Sequence, residues 1–155
     1  MIEEKFNPAF FLKNAQIQTY LASSRLRVMG KNPMLDAAKE TIITTKAGVR
    51  LLASYSPAGE NKSKGMVMLL HGWEGSEGSA YILSAGRHLF EHGYSVFRLN
   101  FRDHGNSHHL NEGLFYATLI DEVFPAVQQA SAIEGGLNFF LAGFSLGGNY
   151  ALRIG

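Results

Sequence analysis

The sequence predicts an α/β fold: a mostly parallel sheet, an N-terminal hairpin, and a final tight turn from strand into helix. Three observations carry this. Met66-Val67-Met68-Leu69-Leu70 is a continuous apolar run, the pattern of a strand covered on both faces. Two further apolar stretches, residues 94–101 and 137–142, each follow a segment whose apolar residues recur at helical spacing. Strands that alternate with helices pair in parallel through right-handed crossovers. The third observation is Gly143-Phe144-Ser145-Leu146-Gly147, which sits where the last strand gives way to a helix.

Residues 6–27 mix aromatics with polar residues (Phe10, Phe11, Ile17, Tyr20), and part of this stretch reads as a short amphipathic helix. Residues 1–39 are read as an N-terminal arm packed on a domain that spans 40–155. Gly30-Lys31-Asn32-Pro33 marks a turn. Residues 41–45 and 49–55 read as two strands around the hairpin-sized loop Lys46-Ala47-Gly48. Residues 56–65, with Pro57, Gly59 and Asn61, form a surface connection. After the strand at 66–70 comes a glycine-rich loop, His71 to Gly78. A helix is predicted over 81–92, and Gly93 stops it. Residues 94–101 are the next strand, with an exit loop from Arg102 to Ser107. A helix is predicted over 114–131, with Pro125 placed to kink or restart it.

With 155 residues, 46% hydrophobic and 17% charged, the chain can bury a sizeable core and is not disordered. A formal net charge of +1 gives no footprint for nucleic acid or an anionic membrane. No cysteine is present, so disulfides and thiolate metal sites are excluded. Met1-Ile2-Glu3-Glu4-Lys5 lacks the pattern of a signal peptide, and no apolar run approaches a membrane span. The expectation is a cytoplasmic protein.

Ser145 between two glycines has the form of a nucleophile elbow, G-x-S-x-G. The turn must be very tight for the hydroxyl to stand clear of the sheet. Neighbours two residues away then pass so close that only Gly143 and Gly147 fit, because glycine has no Cβ. A phosphate-cradling turn is the competing reading. A dinucleotide fingerprint would need Gly at Ser145, and a Walker A loop would need a Lys after Gly147; neither is present.

In these three loops the chain resembles the α/β-hydrolase superfamily over residues 41–155. The matching pieces are Leu70-His71-Gly72-Trp73, Arg102-Asp103-His104-Gly105-Asn106-Ser107 and Gly143-Phe144-Ser145-Leu146-Gly147-Gly148-Asn149. It is more narrowly similar to the YheT-like esterase branch through His71 to Ser76, Ser145 to Asn149 and Gln16-Ile17-Gln18-Thr19, with Gln16 or Ala15 where that branch has His. The resemblance implies an α/β-hydrolase-type sheet that hydrolyses carboxylic esters, those of medium-chain acids among them, without a cofactor or metal. It implies Ser145 as the nucleophile, and the backbone N–H groups of Leu146 and Trp73 as the oxyanion donors. The partner it implies is a small ester or lipid-like molecule.

His71 is expected to shape its loop rather than act as a base. Asp103 and Arg102 are expected to tie down the loop they occupy. His108 and His109 with Glu112 raise the thought of a metal, but no second ligand pair of zinc-like spacing supports it, and a solvated loop is expected. In the resembled fold an acid and then a His follow the serine, and residues 146–155 contain neither. The expectation is therefore a hydrolase truncated after its elbow, its acid and His beyond residue 155. The alternative is a binding module completed by a partner chain. A third reading recruits His104 as base. With the truncation, the strand at 137–142 would be an open sheet edge that invites self-association.

Overall fold

The computed structural model describes residues 7–59 and 63–155. The reading of Met1 to Lys5, and Asn61 in the surface connection, lie outside these residues. Two helices, α1 (Ala15–Ser23) and α2 (Pro33–Asp36), with short 3-10 turns around α1, precede the sheet. Asn14 caps α1 by accepting from the N–H groups of Gln16 and Ile17. Pro33 opens α2 at a first-turn position where its missing N–H costs nothing.

Strands β1 (Lys39–Thr44) and β2 (Arg50–Ser56) form the predicted hairpin. Strands β3 (Met66–Leu70), β4 (Ser95–Leu99) and β5 (Phe139–Gly143) alternate with helices α3 (Ala80–Glu91), α4 (Ile120–Ser131) and α5 (Leu146–Ile154). The sheet order is β1-β2-β4-β3-β5. β3 pairs in parallel with β4 and β5, and β2 pairs antiparallel with both β1 and β4. The sheet is therefore mixed, with its parallel part at the β5 side.

The period of two along β3 divides the core. Met66, Met68 and Leu70 face a cluster with Phe97, Leu99, Val123 and Val127, on the side covered by α4 and α5. Val67 and Leu69 face Met34, Ile82 and Val96, beneath α2 and α3. Both β3 and β4 are buried along their full length, which explains the uninterrupted apolar character of β3; in β4 Ser95 and Arg98 are buried as well. Gly93 adopts φ +87 just after α3. Its N–H donates to Phe90 O, and Tyr94 N–H donates to Leu89 O, closing the helix as the sequence predicts.

One helix is shorter than expected. The apolar spacing predicts a start near Leu114, whereas α4 begins at Ile120. Phe115 is instead drawn onto Phe101, with the rings stacked at 5.5 Å. Leu114 and Phe115 wall a cavity rather than a helix face. Helix α4 runs through Pro125 without ending. Asp121 and Glu122 in its first turn suit the positive end of the helix dipole. No helix among the described residues is long and apolar enough to cross a membrane.

Because β3, β4 and β5 run parallel, their carboxyl ends deliver residues 71–78, 100–107 and 144–145 to one edge of the sheet. Among the described residues β5 has a strand partner, β3, on one side only, and Phe140 is 46% exposed. Unpaired strand groups beside apolar side chains favour pairing with another copy. Light scattering on the 155-residue chain is expected to show association that grows with concentration and falls in Phe140→Lys. A monomer at every concentration would contradict this.

Candidate active site

Ser145 stands between β5 and α5 with φ 52 and ψ −112. This is backbone that a residue with a Cβ avoids, at a typical cost of about 1–3 kcal/mol. The surroundings enforce it. Gly147 N–H donates to Phe144 O at 2.9 Å, and Asn149 N–H to Ser145 O at 2.9 Å. A Cβ on Gly143 would lie 2.1 Å from Gly147 O, and one on Gly147 would lie 2.3 Å from Leu70 O. Both obstacles are backbone, so neither can swing aside. The steric argument for glycine at these two positions is met in the structure, and the side chain of Ser145 is left exposed.

The loop after β3 lies against this turn. A Cβ on Gly72 would meet Phe144 O at 3.3 Å and Ser145 Cβ at 3.4 Å. Gly72 N–H is taken by the hydroxyl of Tyr81 at 2.9 Å, and the Tyr81 ring packs on Phe144 at 5.0 Å. Tyr81 thus couples α3, the β3 exit loop and the serine turn. The next amide, Trp73 N–H, has no acceptor among the described residues. Leu146 N–H is the first of α5, with no carbonyl a turn behind it to bond. A cavity of about 450 Å³ opens here, lined by Gly72, Trp73, Tyr81, Phe144 and Ser145. The arrangement offers a hydroxyl, two amides and an apolar hollow, the parts that acyl transfer uses.

His71 is fully buried. Its Nδ1 lies 2.7 Å from Gly72 O, and its Nε2 accepts from Phe101 N–H at 3.2 Å. A carbonyl can only accept, so the proton is on Nδ1 and the ring is neutral. Burial holds its pKa down to about 4; the neighbouring His104 pushes the same way, and the bond to Gly72 opposes both. Both ring nitrogens are used in joining the β3 and β4 exits, so the loop-shaping role expected of His71 matches its place.

The Arg102–Ser107 loop is anchored as expected of Arg102, through a partner the sequence does not reveal. Its guanidinium donates to both carboxylate oxygens of Glu122 on α4, at 3.1 and 2.5 Å, and to Glu112 O at 2.7 Å. Asp103, at φ 59, accepts from His108 Nδ1 at 2.6 Å. His104 donates from Nδ1 to Arg102 O. His108 and His109 are exposed, and no cluster of three metal-ligating side chains occurs among the described residues. No hydrogen bond joins Ser145 Oγ to His104 or to any other described side chain.

Sequence reasoning missed Tyr81, Asn100 and Arg98. Asn100 Oδ1 accepts from Glu77 N–H at 2.7 Å, and Arg98 donates to Glu77 O at 3.1 Å, fixing the 73–78 loop to β4. The signal was available for two of them: Arg98 and Asn100 are polar within the buried run from Val96 to Phe101. Buried polar groups must find partners.

Two outcomes follow. Gly147→Ala should lower stability by about 3 kcal/mol or more, because backbone must move; a denaturant melt checks it. His71 binds its proton less readily folded (about 4) than unfolded (the ordinary 6.5), so its contribution is complete above 6.5 and lost as pH falls toward 4. By pH 4 this loss amounts to about 3 kcal/mol. The stability lost between pH 7 and pH 4 should therefore be smaller in His71→Asn than in the wild type by that amount.

The family model described as serine aminopeptidase, S33 (Hydrolase_4) matches residues 61–155. Among solved structures, the Pf2001 esterase of Pyrococcus furiosus superposes with TM-score 0.64 at 26% identity, covering 75% of this chain and 43% of that one. A serine hydrolase without lid from Xanthomonas campestris gives TM-score 0.64 at 24% identity, covering 76% and 55%. Est1E of Butyrivibrio proteoclasticus, solved with ferulic acid bound, gives TM-score 0.63 at 18% identity, covering 74% and 46%. The chain thus spans less than half the length of the Pyrococcus esterase. No curated protein matches it.

Proposed function

Starting from the fact that this chain belongs to the serine aminopeptidase S33 family of α/β-hydrolases, we propose that it carries the nucleophile and oxyanion site of a carboxylic ester hydrolase. The family makes it an α/β-hydrolase-type enzyme. The ester substrate is the finer step. It is supported by the esterase of Pyrococcus furiosus. The observation that carries the proposal is Ser145, exposed at φ 52 on a turn that backbone packing holds.

In this reading Ser145 Oγ attacks the acyl carbonyl, and its proton passes to a base. The carbonyl oxygen gains charge and is received by the N–H groups of Leu146 and Trp73. Collapse expels the alcohol and leaves an acyl-enzyme, which water then opens through the same oxyanion. The dipole of α5 adds positive potential where that charge develops. The base is drawn from a His outside residues 1–155, oriented by an acid there, because Ser145 Oγ has no such partner among the described residues. The apolar cavity beside Ser145 suits an acyl chain of medium length. A second reading, a binding module completed by a partner chain, draws its support from that same lack of a base.

The test is hydrolysis of p-nitrophenyl esters, from acetyl to octanoyl, by the chain alone and by the chain extended along its downstream reading frame. The extended protein should turn esters over, and Ser145→Ala should reduce kcat by roughly 10³-fold or more. Turnover that survives Ser145→Ala would reject the assignment, and an extended protein without turnover would favour the binding module.

A further inference from the structure

Resting on the reading of Ser145 as nucleophile, we propose that a second cavity beside it binds an alkylammonium group, so that the preferred esters carry such a cation in one half. This cavity, of about 410 Å³, is walled by Trp73, His104, Leu114 and Phe115 and bordered by Glu74 and Asp103. Trp73 also lines the cavity that holds Ser145, so the two cavities adjoin at its side chain.

The geometry of the rings selects the class of ligand. Trp73 and His104 meet at 78° with centroids 6.5 Å apart, and His104 and Phe115 at 90° and 4.8 Å. Trp73 and Phe115 meet at 56° and 6.0 Å. Steeply inclined rings make a corner. A compact cation between Trp73 and His104 can lie within about 6 Å of both centroids, while Phe115, stacked on Phe101 and in edge contact with His104, backs that corner. A flat aryl group would lie along only one wall.

Charge points the same way. Glu74 and Asp103 are the carboxylates on the lining, His104 and His108 its basic side chains, and no Lys or Arg is on it. Arg102, next in the chain, is turned to Glu122 and to the Glu112 carbonyl. Asp103 is bonded to His108, and Glu74 forms no ion pair among the described residues. His104 Nδ1 is committed to the Arg102 carbonyl, which fixes the ring on the cavity wall. A free carboxylate would meet repulsion from Glu74 in this cavity.

Trp73 is the sole tryptophan of the chain, so its emission reports occupancy. The experiment titrates the 155-residue chain with choline at constant ionic strength, beside 3,3-dimethylbutan-1-ol, the neutral carbon isostere. Choline should give a saturable change in emission, and the alcohol should bind about fivefold more weakly or worse. Glu74→Gln and Phe115→Leu should each weaken choline roughly two- to fivefold. The absence of a saturable change, equal binding by the alcohol, or indifference to both variants would overturn the proposal. The readout is binding, so a failure of Ser145 as nucleophile would appear only in the ester assay.

Discussion

Gly147 brings the first turn of α5 against the carbonyls of Leu70 and His71 at the end of β3. The rest of the site depends on this approach. If α5 stood farther from the sheet, the chain could leave β5 through an ordinary turn, and Ser145 would have no cause to adopt φ 52. With α5 held close, Gly143 must pass beneath the carbonyl of Gly147, and the serine is pushed out over the sheet edge. The strain at one residue is sustained by packing at these two glycines, because backbone atoms have no rotamers through which to yield.

The same edge gathers the other loops. His71 joins the exits of β3 and β4 through a neutral imidazole, and Tyr81 ties the β3 loop to α3 and to Phe144. Arg102 carries the β4 exit loop across to Glu122 on α4. The His71 tie is buried and the other two are partly buried, where losing one partner strands the other. The outcome is a rigid floor under two adjoining cavities that share the Trp73 side chain. Motion at Trp73 would be felt in both.

Much of this was legible in the sequence because its physical causes are local. The unbroken apolar run at Met66 to Leu70 requires cover on both faces, and the strand has it. The spacing of Gly143, Ser145 and Gly147 states a steric requirement that the turn then meets. Helix α4 was misjudged at its start because Leu114 and Phe115 satisfy a helical period while their tertiary partners, the Phe101 ring and the cavity, hold them out of the helix. Glu122 as the partner of Arg102, and the hydroxyl of Tyr81 on Gly72, were not legible. Pairing across elements depends on distances that no spacing in the sequence encodes.

The most direct measurement is a crystal structure of the extended protein after reaction with an alkyl fluorophosphonate. A covalent bond from Ser145 Oγ to phosphorus is expected, with a phosphonyl oxygen within hydrogen-bond distance of both Leu146 N and Trp73 N. Phosphorus on another residue, or a phosphonyl oxygen turned to solvent away from those two amides, would contradict it.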